Sequence, residues 1–277
     1  MNDIERLFGG NDTVPGLRAE ARARPSLGIP DTDPEAKSGD PSESPVEDIS
    51  VDDAHSGPAS FPLALLEPLC PSRSLTAIAD PAHPFNDRIR QLRTELMLRR
   101  KAHSVALGVA VIGCGAGEGR SQIAAELAIA FAQLGRSTLL LDADMRNPRQ
   151  HLLFGTELRD GLAQAIERSD APTLFGVDGY PTLSVLTAGI CPANPIEFLS
   201  DGRFESLFDE FRHYFEFIVV DTPRFADYAD AQVISTVVGN VLTVHRARHS
   251  SYKAARTMLR QLDSTRANIL GGVLQHF

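Results

Sequence analysis

HSVALGVAVIGCGAGEGRS, residues 103–121, passes from an apolar β-type run (Val105 to Ile112) through a loop holding four glycines into an alanine-rich helical pattern. Strand, glycine loop, helix start is the order in which main-chain amides can cradle a polyphosphate. Glycine suits such a loop because the backbone must approach phosphate closely and some positions need positive φ. Against the pattern G-x-x-x-x-G-K-[ST], Gly119 and Ser121 fit, the first glycine falls on Cys114, and Arg120 stands where lysine is expected. The stretch therefore reads as a phosphate-binding loop with one important residue changed.

Upstream, residues 84–101 (PFNDRIRQLRTELMLRRK) read as a helix, with Phe85, Ile89, Leu92, Leu96 and Met97 forming one apolar stripe. Asp87, Arg90 and Arg93, spaced i, i+3, i+6, are expected to project to nearly one side. Residues 61–69 read as an irregular apolar lead-in. Downstream, a helix over 120–134 ends at Gly135, and the short strand 137–141 delivers Asp142 and Asp144 to its C-terminal end, where open α/β sheets bind ligands. Further helices are expected at 161–168, from Asn194-Pro195, and over 203–214, with a strand at 183–186. FEFIVVDTP (215–223) is an apolar strand closed by Asp221, the pattern that brings one carboxylate near a nucleotide's Mg²⁺. Helices over 227–238 and 251–263 and strands over 240–244 and 268–274 complete the chain. Strands and helices alternate, so the expected fold is α/β: a doubly wound, mostly parallel sheet with helices on both faces.

Composition sets the limits. The chain has 277 residues, 43% of them hydrophobic, and a formal net charge of -9. That charge is local: residues 1–60 hold 13 acids against 5 bases, and residues 61–277 hold 23 against 22. The first segment, rich in Pro, Gly, Ser, Asp and Glu, reads as a disordered acidic tail, and residues 61–277 as one nucleotide-binding domain. A nearly neutral domain lacks the basic footprint of a nucleic-acid binder. Cys70, Cys114 and Cys191 are odd in number and irregularly spaced, which fits a reduced cytoplasmic setting better than a disulfide framework. Neither a signal peptide nor a run of about 18 apolar residues is seen, so the chain is expected to meet a membrane only through a partner.

Taken together, LLLDADMRNPRQHLLFG (139–155), TAGICPANPIEFL (187–199) and FIVVDTP (217–223) resemble the cytoplasmic domain of bacterial tyrosine kinases, P-loop proteins of capsule and exopolysaccharide export. The likeness covers roughly residues 81–277. It implies ATP and Mg²⁺ as cofactors. It implies phosphate binding by the loop Gly115, Ala116, Gly117, Glu118, Gly119, Arg120, Ser121 and Gln122. It places Ser121, Asp144 and Asp221 around the metal, with Asp142 activating a tyrosine hydroxyl beside Asp144 and Arg120. It also implies a polysaccharide co-polymerase of the inner membrane as partner, and a homo-oligomer interface through Asp87, Arg90 and Arg93, with Asp where the family motif has Glu. The signature lysine of MinD- and ParA-type ATPases would fall on Gly115, which favours the kinase branch. Three departures count: Arg120; Arg224, where relatives commonly have a second proline; and an ending, Leu274-Gln275-His276-Phe277, without the family's tyrosine cluster. Guanidinium is planar and bulkier than ammonium, so weak or absent kinase activity is expected. An active kinase on other proteins and a MinD/ParA-like ATPase remain the alternatives.

Overall fold

The computed structural model describes residues 69–100, 106–169 and 172–276. The acidic tail and most of the apolar lead-in lie outside the described residues. In chain order the elements are α1 (Thr76–Ala79), α2 (Pro84–Arg99), β1 (Leu107–Gly113), α3 (Arg120–Ala132), β2 (Thr138–Asp142), α4 (Gln150–Leu153) and α5 (Leu162–Arg168). Then follow β3 (Phe175–Val177), β4 (Tyr180–Leu186), α6 (Pro195–Ser200), α7 (Arg203–Tyr214), β5 (Phe217–Asp221), α8 (Asp230–Val238), β6 (Asn240–Arg246), α9 (Tyr252–Asp263) and β7 (Asn268–Gln275).

The seven strands form one sheet in the order β3-β4-β2-β5-β1-β6-β7. Every neighbouring pair is parallel except β3 and β4, which form an antiparallel hairpin at one edge. The central strands β1, β2 and β5 are buried along their whole length. That is why they read as continuous apolar runs: a parallel sheet is covered on both faces. Successive residues still part to opposite sides. Ala110, Ile112, Leu139 and Leu141 join the core beneath α7, α8 and α9, with Phe208, Ile234 and Met258. Val109, Val111 and Leu140 join the core beneath α2 and α3, with Ile89, Ile123 and Leu127.

Helix α3 is the best-covered helix, because α2 lies over its outer side and the sheet over its inner side. Eleven of its thirteen residues are buried. Phe131 stacks on Phe217 of β5, ring centroids 4.0 Å apart. Its one buried acid, Glu126, accepts hydrogen bonds from the Thr76 and Ala77 amides and so caps α1. The stripe foreseen on α2 packs as expected, with Ile89 and Leu96 buried and Phe85, Leu92 and Met97 against the same core.

The Asp87–Arg90–Arg93 triplet is not one face. Arg90 Nη1 pairs with Asp87 Oδ1 at 2.8 Å on the exposed side. Arg93 instead donates to the Ala130 carbonyl on α3 at 2.9 Å. Six residues advance a helix by 600°, some 120° short of two turns, so the long arginine swings to the nearest carbonyl acceptor.

Candidate phosphate and metal site

The loop after β1 turns back at Gly117 and Gly119, whose φ values are 68° and 82°. Side chains from β6, from β7 and from the segment after β6 hold its carbonyls. Gln275 Nε2 donates to the Gly119 carbonyl at 3.4 Å, and Arg246 Nη1 to that of Gly117 at 3.3 Å. His249 Nε2 lies 2.9 Å from the Ala116 carbonyl. Glu118 folds under the loop, accepting from the Gly115 amide at 3.0 Å and from Ser250 Oγ. The sequence reading placed Glu118 in the loop, but not its role as an internal brace. It missed the clamp altogether, because a carbonyl partner leaves no residue-type signature.

Arg120 begins α3 and lies buried against the loop it belongs to. Its Nη1 donates to the Gly115 carbonyl at 2.8 Å and its Nε to the Thr222 carbonyl at 3.1 Å, while Nη2 stands 3.7 Å from Asp144 Oδ2. The positive charge is in place, but the planar fork is spent on main-chain oxygens.

The three acids converge. Asp142 and Asp221 are the last residues of β2 and β5 and face each other in the parallel register. Asp221 Oδ2 accepts from Gln150 Nε2 at 2.8 Å, and the carboxylate is also bonded by Ser121. Asp142 is used up by its own turn: Oδ1 accepts from the Asp144 amide, and Oδ2 from those of Arg149 and Gln150 at 3.1 and 3.0 Å. Asp144 lines a cleft of about 290 Å³ with residues 116–122, Asn147, Arg149 and Arg224. Arg224, a departure from the family pattern, thus adds a cation to this cleft, as does Arg149.

Burial pushes all three carboxyls above the ordinary range. For Asp142 the neighbouring Asp221 charge adds to burial. Asp221 rises to about 6, with Arg120 pulling the other way. Asp144 rises through burial, against the Asn147 amide and Arg120. Two acids abreast in a dry interior cannot both ionise cheaply without a cation. Asp221 Oδ1 is buried and has no hydrogen-bond partner in the structure. An oxygen acceptor left open beside Ser121 fits Mg²⁺, which takes few protein ligands and keeps several waters.

Gln150 was not read from the sequence. Its Nε2 bridges the Ser121 carbonyl (3.1 Å) and Asp221 Oδ2, tying α4 to the loop helix and to β5. Gln150→Leu keeps the bulk and removes the bridge. It is expected to weaken the Mg²⁺ dependence of nucleotide-induced stabilisation about 10-fold, the scale of lost outer-shell partners. Mg²⁺ titrations at fixed ATP, followed by thermal melting, measure this; an unchanged midpoint would remove Gln150 from the site. Arg146 fixes the same loop from the other side, pairing with Asp230 at 2.7 and 3.2 Å with its guanidinium over the Tyr228 ring.

A larger cavity, about 550 Å³, lies between residues 225–232 and α9, with Cys114 in its wall. Its lining includes neither residues 116–122 nor Asp144, which line the smaller cleft. The Cys114 thiol is shielded. Burial first, then the Glu118 charge, pushes its pKa up to about 12.

Glycine loop, acids at the tips of adjacent parallel strands, and a buried cation at the loop's end are the arrangement of a P-loop fold. Residues 107–264, more than half the chain, match the family model described as cellulose biosynthesis protein BcsQ. The chain is 30% identical to tyrosine-protein kinase YwqD of Bacillus subtilis, over 73% of its own length and 85% of that protein's. It is 29% identical to the putative tyrosine-protein kinase CapB of Staphylococcus aureus, over 70% and 85%. Its fold matches the kinase domain of the Escherichia coli tyrosine kinase ETK with a TM-score of 0.68 at 26% identity, covering 73% of this chain and 79% of that one. The chain belongs to the BcsQ-like P-loop family and, within it, groups with the bacterial tyrosine kinases. Among the described residues no helix is long and apolar enough to cross a membrane.

Proposed function

We propose that this chain binds Mg-ATP in the loop cleft and works as a kinase-like protein of exopolysaccharide or capsule biosynthesis, with weak or no phosphoryl transfer to tyrosine. The observation that carries the reading is the convergence of Asp142, Asp144 and Asp221 on the Ser121 end of the loop. In this reading the loop from Gly115 to Gln122 holds the phosphates. Mg²⁺, when bound, neutralises their charge, and Ser121, Asp144 and Asp221 are the residues that would hold it, some through water. Arg120, Arg149 and Arg224 supply the remaining positive charge. Asp142 is the family's candidate base, yet both its oxygens are engaged by amides. Arg120 is likewise engaged by carbonyls. Phosphoryl transfer is mostly positioning and charge stabilisation, so both commitments work against turnover.

The names of the relatives, tyrosine kinases and a cellulose biosynthesis protein, support the pathway class. The proposed partner is a polysaccharide co-polymerase, which would bring a cytoplasmic protein to the inner membrane. Asp87 and Arg90 would contribute to a homo-oligomer.

Thermal melting with Mg-ATP, Mg²⁺ alone and ATP with EDTA tests binding. A native-state ligand at 100 times its Kd stabilises by about 2.7 kcal/mol, so a clear rise is expected with Mg-ATP only. No rise would overturn the reading. Labelled phosphate should reach a tyrosine substrate in trace amounts at most. Robust transfer that Asp142→Asn abolishes would favour the second reading, an active kinase on other proteins, which the retention of Ser121 and all three acids supports.

A further inference from the structure

Inside the glycine loop, three chemically different donors meet. Cys114 Sγ, a Glu118 carboxylate oxygen and a His245 ring nitrogen lie within 4.8 Å of one another, and all three residues are buried. Two come from the loop and the third from β6, which pairs with β1 beside it. Met258 Sδ on α9 stands 3.6 Å from Cys114 Sγ and adds a second sulfur to the cluster. Nothing in the handling of phosphate or Mg²⁺ requires a thiol and an imidazole here.

We propose that Cys114, Glu118 and His245 form a binding site for a thiophilic divalent cation, zinc foremost, at the root of the phosphate loop. A thiolate, an imidazole and a carboxylate are the donor types that zinc combines, whereas Mg²⁺ takes oxygen. Zinc bonds of about 2.0–2.3 Å place tetrahedral ligands roughly 3.3–3.8 Å apart, so the donors need to close by about an ångström. A carboxylate has about four acceptor sites, so Glu118 can take a cation while keeping the Gly115 amide and Ser250. Cys114 also borders the cavity between residues 225–232 and α9. Its donors are not those of the Ser121–Asp144–Asp221 set, although Glu118 also lines the phosphate cleft, and the metal is read out with no nucleotide present.

The test uses cobalt(II) alone, added to the full chain after metal stripping. Cys70 and Cys191 are exposed, so the parent carries Cys70→Ser and Cys191→Ser to remove competing thiols. One equivalent of cobalt is expected to give a thiolate-to-cobalt charge-transfer band in the near ultraviolet, and zinc to displace it. Adding Cys114→Ser should abolish the band, and His245→Gln should weaken cobalt binding by at least about 10-fold. Mg²⁺ should leave the band unchanged. Absence of the band in the folded parent overturns the proposal, and so does a band that survives Cys114→Ser. The parent must itself give the signal, so the outcome does not depend on how well the loop variants fold.

Discussion

Asp221→Asn is expected to make the ligand-free protein more stable at about pH 8 while removing its response to Mg-ATP. The carboxyl of Asp221 is held near 6 in the folded protein by burial, above its ordinary value of 3.8. A carboxyl raised in this way favours the fold while protonated, below the unfolded value. That contribution is lost as pH rises through the folded value, because the native state then carries a buried charge. The difference corresponds to about 3 kcal/mol at pH 8, and asparagine removes the titration. For a domain of this size the variant should melt roughly 5–10 °C higher at about pH 8, with the gap closing towards about pH 4. Its Mg-ATP stabilisation should vanish, because the neutral amide gives Mg²⁺ no carboxylate. A variant destabilised at both pH values, or one that still responds to Mg-ATP, would show that Asp221 is a structural acid. The expected rise sets this site apart from an ordinary buried ion pair, in which removing one partner is destabilising.

What the sequence made legible follows from which interactions leave a residue-type signature. Burial on both faces leaves one, so β1, β2 and β5 were readable as apolar runs closed by Gly113, Asp142 and Asp221. The strand β3 leaves almost none. It has three residues, lies at an edge, and pairs antiparallel with β4 through a register shift at Gly176 and Val177. The short α4 is hidden for a different reason: its first amides are capped by Asp142, and an acid at a strand tip carries no signature of a helix cap eight residues on. Spacing located the glycine loop and the three acids but said nothing of where long side chains end. Arg93 reaching Ala130, Arg120 reaching Gly115 and Thr222, and Gln150 bridging Ser121 and Asp221 are all decided by the nearest acceptor in three dimensions.

Arg120→Lys should raise nucleotide affinity about tenfold while lowering the stability of the empty protein. In the parent the guanidinium bridges two carbonyls, on the loop and on the segment after β5, and stands beside Asp144. An ammonium cannot span both oxygens with one fixed fork. Losing one or two charge-assisted hydrogen bonds costs about 1–3 kcal/mol of stability in the empty state. The same loss frees a compact charge to meet phosphate and releases Asp144 towards the metal. When nucleotide binds, phosphate oxygens replace the missing carbonyl contacts, so the variant pays less than the parent to rearrange. A tenfold gain in affinity corresponds to about 1.4 kcal/mol, well within what one freed buried cation can supply. Calorimetric titration of Mg-ATP into both proteins, with melts of the empty forms, reads the two effects separately. Equal or weaker binding by the lysine variant would mean that the loop has reshaped around arginine, with Arg120 then serving as a phosphate ligand in its own right.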